Sequence, residues 1–103
     1  MMERELYEQL QTTGLPVAYR TFDESNVPEM PFLVYFFERS NNFSADGLVH
    51  QKIDHYQVQL FTKKKDPQTE ALVEAALGFT FWQKEEFEED DEACSRIVYE
   101  VEV

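Results

Sequence analysis

Cysteine is all but missing from this chain, with Cys94 alone among 103 residues. A single cysteine closes no internal disulfide, so packing must hold the fold. Glycine and proline are scarce, three and four, which excludes a low-complexity, disordered chain as the main state. No apolar run approaches the roughly 18 residues that a membrane span needs. The first ten residues, MMERELYEQL, carry Glu3, Arg4, Glu5 and Glu8 where an export signal would need an apolar stretch. These absences lead us to expect a cytosolic protein with no membrane partner. Basic residues are the last shortage. Nine Lys and Arg stand against 21 Asp and Glu, a net charge of −12. Such a chain is repelled by nucleic acid phosphates and anionic lipid, which argues against sequence-specific nucleic acid binding. The acidity then serves solubility, mimics nucleic acid towards a basic partner, or lines a passage through which DNA slides.

Aromatics are plentiful at 15 %, and the apolar pattern divides the chain into elements. Met2, Leu6 and Leu10 recur every four residues, which predicts a helix over 2–12 closed by Gly14. Residues 16–22 read as a strand. Phe32 to Phe37 form an unbroken apolar run, which predicts a strand covered on both faces. Residues 38–47 (ERSNNFSADG) are polar and read as an exposed loop, with Phe43 as its one large apolar residue. Alternation over 49–62 predicts a long half-buried strand. Asp66 and Pro67 suit an N-cap and first helical position, for a helix to about Leu77 with Leu72, Val73, Ala76 and Leu77 inward and Gly78 ending it. Thr80 to Trp82 read as a short strand. Glu85, Glu86, Glu88, Glu89, Asp90, Asp91 and Glu92 make 84–93 an acidic, self-repelling segment, expected as a mobile loop or strand end. Ile97, Tyr99, Val101 and Val103 alternate with polar residues, a strong strand pattern. The expectation is a single α+β domain over 1–103. Its mostly antiparallel sheet has four or five strands with two helices on one face, in the order α-β-β-β-α-β-β.

Catalytic patterns are thin. There is no phosphate loop, no dinucleotide fingerprint and no nucleophile elbow. Cys94 with His50 or His55 is a formal nucleophile–base pair, but the neighbouring acids disfavour a thiolate. The two histidines are five apart on a strand, hence on opposite faces, and are poorly placed to share a metal. The acidic run lacks the spacing of a calcium loop. We expect no enzyme activity, no metal and no cofactor. Interaction residues are easier to nominate. Phe43, flanked by Asn42, Ala45 and Asp46, would anchor a partner surface or fold back on its own sheet. Lys63, Lys64 and Lys65 would bridge to acids of a neighbouring copy or simply sit in water.

One ordered set of motifs goes beyond composition. Pro16-Val17-Ala18-Tyr19 is followed by Pro31-Phe32-Leu33-Val34-Tyr35 and Asn42-Phe43-Ser44-Ala45-Asp46. Next come Tyr56-Gln57-Val58-Gln59-Leu60-Phe61-Thr62-Lys63-Lys64-Lys65-Asp66-Pro67 and Ile97-Val98-Tyr99-Glu100-Val101. Over nearly the whole chain this order resembles small neck proteins of phages and prophages of Gram-positive bacteria, in the tail terminator (tail completion) or head–tail joining family. The resemblance implies a non-catalytic protomer that assembles into a ring, commonly a hexamer. Its implied partners are further copies of itself, the tail tube protein and the head–tail connector. Its implied place is the virion neck, reached from the host cytoplasm during assembly. In such a ring the residues 85–92 would line an acidic lumen. Two other classes stay open beside it. An acidic binding module or DNA mimic would engage a basic partner, and an enzyme with a Cys or carboxylate site would need a concave pocket.

Overall fold

A computed structural model describes residues 3–45, 48–89 and 94–102 of the chain. In chain order these form α1 (Glu3–Gln11), β1 (Val17–Tyr19), a 3-10 turn (Glu24–Asn26), β2 (Phe32–Ala45) and β3 (Leu48–Thr62). There follow α2 (Pro67–Ala76), β4 (Phe81–Glu89) and β5 (Cys94–Glu102). The five strands make one mixed sheet in the order β1-β2-β3-β5-β4. Only β1 and β2 are parallel, and every other neighbouring pair is antiparallel. The fold is therefore α+β, as the pattern predicts. β5, the last strand, slots between β3 and β4, and α2 carries the chain across it.

Strand periodicity explains the core. Leu33 and Tyr35 of β2, Tyr56, Val58 and Leu60 of β3, and Ile97, Tyr99 and Val101 of β5 fall on one face. There they meet Leu6 and Leu10 of α1 and Val73 and Leu77 of α2. Each such side chain, fully buried, contributes about 1.5–3 kcal/mol. Tyr7 packs obliquely on Tyr35 and Trp82 packs edge-on against Tyr99, with centroids 6.0 and 5.6 Å apart, extending the core to both sides. Leu72, expected inward, is 51 % exposed, and Thr69 and Glu70 are buried instead.

Local chemistry sets the helix ends. Gly14 adopts φ +80 after α1, and its N–H donates to the Gln11 carbonyl at 3.1 Å. Asp66 caps α2 as expected. Its Oδ1 accepts from the Thr69 N–H at 3.2 Å and its Oδ2 from the Thr69 hydroxyl at 2.6 Å, with Pro67 as the first helical residue. The second helix closes at Leu77, whose N–H donates to Val73, and the Gly78 N–H donates to Ala75.

One expected loop is a strand, and the described part of the segment expected as a mobile loop or strand end is a strand too. Residues 38–45 continue β2 and pair with β3 out to Ala45↔Leu48, with register shifts at Phe37/Arg39 and Phe43/Ser44. Residues 84–89 continue β4, which pairs with β5 from Phe81↔Glu102 to Glu89↔Cys94. One expected strand is shorter. The chain leaves β1 at Arg20, which takes φ 69 while its N–H bonds to the Tyr35 carbonyl at 2.8 Å.

Candidate functional site

The two faces of the sheet differ. The helices cover one. On the other, the β1–β2 connection folds back over the β2 end. Phe22 packs edge-on against Phe32, and Phe32 lies obliquely on Phe61, each pair with centroids 5.2 Å apart. Val34 is therefore only 7 % exposed, although it faces away from both helices. Beyond this aromatic cluster the face formed by β3, β5 and β4 is open. Gln57, Gln59, Gln83, Glu85, Phe87, Arg96, Val98 and Glu100 line a shallow depression there. Arg96 lies over the Phe87 ring at 4.9 Å, and Phe81 and Phe87 are 62 % and 37 % exposed.

The β2–β3 hairpin outgrows the sheet. β1 ends at Tyr19, opposite Tyr35, and the described part of β5 ends at Glu102, opposite His55. Past those points β2 and β3 pair only with each other among the described residues. Beyond the Arg39↔His55 pair, residues 40–45 and 48–54 span about 20 and 23 Å at about 3.3 Å per residue. The molecule accordingly measures 50 Å along one axis and 24 Å along the other two. Charged contacts fix the base of this arm to the open face. Arg39 pairs with Glu100 at 2.5 Å and with Glu38 at 3.2 Å. Buried His55 lies 3.8 Å from Glu100 and 3.9 Å from Glu102.

A third feature lies between α2 and β4. The Glu70 carboxylate, 5 % exposed, accepts at Oε1 from Lys65 at 3.1 Å and from Lys84 at 3.2 Å. Lys65 also reaches Glu86 at 2.9 Å, and Lys84 reaches Glu74 at 2.7 Å. The Tyr99 hydroxyl donates to Glu74 at 3.0 Å. Burial alone would push Glu70 up, but the lysine hydrogen bonds outweigh it and hold the carboxyl below the usual glutamate range. Burial, then the Glu74 carboxylate, push the Tyr99 phenol up. The hydrogen bond to Glu74 raises Lys84, and that to Glu70 raises Lys65.

The nominated residues fall as follows. Asn42, Phe43 and Ala45 lie in β2 on the arm, opposite Lys52, Gln51 and Leu48, and not in a loop. Their side chains, and Asp46 altogether, lie outside what is described. Lys63 and Lys64 are exposed beside α2, whereas Lys65 is taken up by its own chain's Glu70 and Glu86. Glu85 and Glu86 occupy opposite faces of β4, the first in the open depression and the second towards Lys65. The two therefore do not share one wall. Glu88 and Glu89 follow in the strand, opposite Ser95 and Cys94. Asp90, Asp91 and Glu92 are outside the described residues. Cys94 is buried at the start of β5 and His55 pairs with its far end, so those two do not meet, and the side chain of His50 lies outside what is described. Among the described residues no three His, Cys, Asp or Glu side chains converge as a metal site. No described helix is long and apolar enough to cross a membrane.

The ionic network escaped the pattern reading because its partners are far apart in the chain. Glu70 and Glu74 one turn apart on α2, with Lys84 and Glu86 alternating on β4, were the available signal. In comparisons with known proteins, no family model matches the chain and no curated protein matches it.

Proposed function

We propose that the chain is a structural, non-catalytic neck protein of a tailed phage or prophage. In this reading it is a tail terminator whose copies close a ring, a hexamer by the family resemblance. The ring caps the tail tube and joins it to the head connector, in a virion assembled in the host cytoplasm. The observation that carries the reading is the uncovered half of the sheet. One layer of helices protects one face, while the β3-β5-β4 half of the other has no layer of its own yet carries Val98, Phe87 and Phe81. A neighbouring copy supplies the missing layer. Contacts between unlike patches of identical chains close into a ring when the rotation allows. The net charge of −12 suits a passage that DNA crosses without adhering.

The test is electron microscopy of the tail tubes of its own phage, assembled with and without this chain. The reading expects tubes of uniform length with added density at one end. Tubes whose ends never bind the chain would overturn it. The second reading, an acidic module or DNA mimic, rests on the same charge. It expects instead a one-to-one, salt-sensitive complex with a basic protein and no effect on tubes.

A further inference from the structure

The outer faces of the two helices differ. α1 turns Arg4, Glu5 and Glu8 to solvent, the usual charged exterior of a surface helix. The exposed positions of α2 are Gln68, Ala71, Leu72 and Ala75, spaced i, i+3, i+4 and i+7 on one face. None is charged, although 29 % of the chain is. Leu72 stands half in water, and Phe79, just past the helix, is 39 % exposed. The acids of α2, Glu70 and Glu74, are turned to Lys65 and Lys84 instead. A helix without a charged side ordinarily has cover all round.

The β3-β5-β4 half-sheet is the matching surface, since no helix lies over it. α2 has ten residues, so it is about 15 Å long and about 10 Å across. Three strands about 4.8 Å apart, two of them nine residues long, offer a strip about 10 Å wide and about 30 Å long. The charges are complementary as well. The strip carries Glu85, Glu100 and Glu102 against Arg96, with Arg39 at its margin already paired to Glu38 and Glu100. Glu85 makes no ion pair among the described residues, and neither do Lys63 and Lys64 immediately before α2. The one acid beside those lysines, Asp66, is held by Thr69. Two half-sheets face to face would set acid against acid, and two α2 faces together would leave both half-sheets open. Unlike surfaces meet neither penalty.

We propose that α2 of one copy lies on the β3-β5-β4 face of the next. Its Leu72 side meets the surface of Phe81, Phe87 and Val98, and Lys63 and Lys64 lie towards Glu85. Each copy gives one helix and receives another, and the half-sheet gains the layer it lacks. This deepens the ring reading above and rests on it.

Two variants test it, each changed only at exposed positions. The helix variant is Leu72→Glu with Ala75→Glu, and the sheet variant is Phe81→Glu with Gln83→Glu. Circular dichroism and thermal melting check folding, and light scattering reads mass. Each variant alone is expected to be folded and monomeric. An equimolar mixture is expected to form a one-to-one dimer, since one retains the sheet face and the other the helix face. A mixture that stays monomeric while the parent chain assembles overturns the helix-on-sheet contact, as does a helix variant that assembles like the parent. In both cases the ring itself survives. A parent chain that never self-associates, alone or on tail tubes, removes the ring and the contact together. Lys63→Glu with Lys64→Glu, outside both elements, gives an independent readout should either variant not fold. It is expected to raise the concentration for half-assembly about tenfold, and an unchanged value counts against the contact.

Discussion

Glu70 is the residue on which the helix-to-sheet packing is most exposed to chemistry. Its carboxylate is nearly sealed from water and lies between Lys65 and Lys84. Replacing it with Gln keeps an acceptor but removes the negative charge between the two ammonium groups, and should cost about 1 kcal/mol at neutral pH in urea unfolding. The pH dependence has a definite sign. Because the native carboxyl is held below the unfolded value of about 4.5, its contribution is present above that value and is lost as pH falls through the native one. Acid unfolding of Glu70→Gln should therefore be shallower than that of the parent below about pH 5; parallel curves would contradict this. Tyr99 acts at the other end of the scale. The native state resists its ionisation, so its contribution is present below about pH 10 and is lost as pH rises further. Ultraviolet titration should find the Tyr99 phenol silent until the protein unfolds, as the difference between the parent and Tyr99→Phe. Gly14 is a backbone case. At φ +80 with open space where a Cβ would go, Gly14→Ala meets no clash but pays the left-handed conformation, about 1 kcal/mol.

At the scale of elements, the cap of α2 is the clearest local device. The Asp66 carboxylate takes both the Thr69 N–H and the Thr69 hydroxyl, which holds Asp66 below the usual aspartate range. Asp66→Ala should lower the melting temperature, and Asp66→Asn, which keeps an acceptor, should recover much of it. This cap was legible because Asp-Pro before an apolar stripe is a local signal. Strands β3 and β5 were legible for a similar reason, since their alternation reflects one buried face. Where backbone pairing places a segment of polar residues, that signal is absent: Ser40, Asn41, Asn42 and Ser44 give no alternation, yet they pair with β3. The acids of β4 read as mutual repulsion along the chain, but a strand sends Glu85 and Glu86 to opposite faces and gives Glu86 to Lys65. The apolar run of β2 is covered on both sides at Leu33, Val34 and Tyr35, whereas Phe37 at its end is exposed. Much of that cover at its start comes from Phe22 and the connection after β1, which no periodicity foretells.

For the whole molecule, a helix layer on one face, an open half-sheet on the other and a protruding arm are the features on which the proposed ring rests. The proposed ring brings together chains of net charge −12, so screening by salt should favour it. At about 1 M salt, where the Debye length falls to about 3 Å, the concentration for half-assembly should fall, and a rise would contradict repulsion between protomers as the opposing force. Light scattering after size exclusion, across protein concentration, tests the central claim of ring assembly most directly. The account predicts one discrete species near six times the 12.2 kDa protomer mass, growing at the expense of monomer. A stable dimer that never proceeds to a larger closed species, with or without tail tubes, would contradict it.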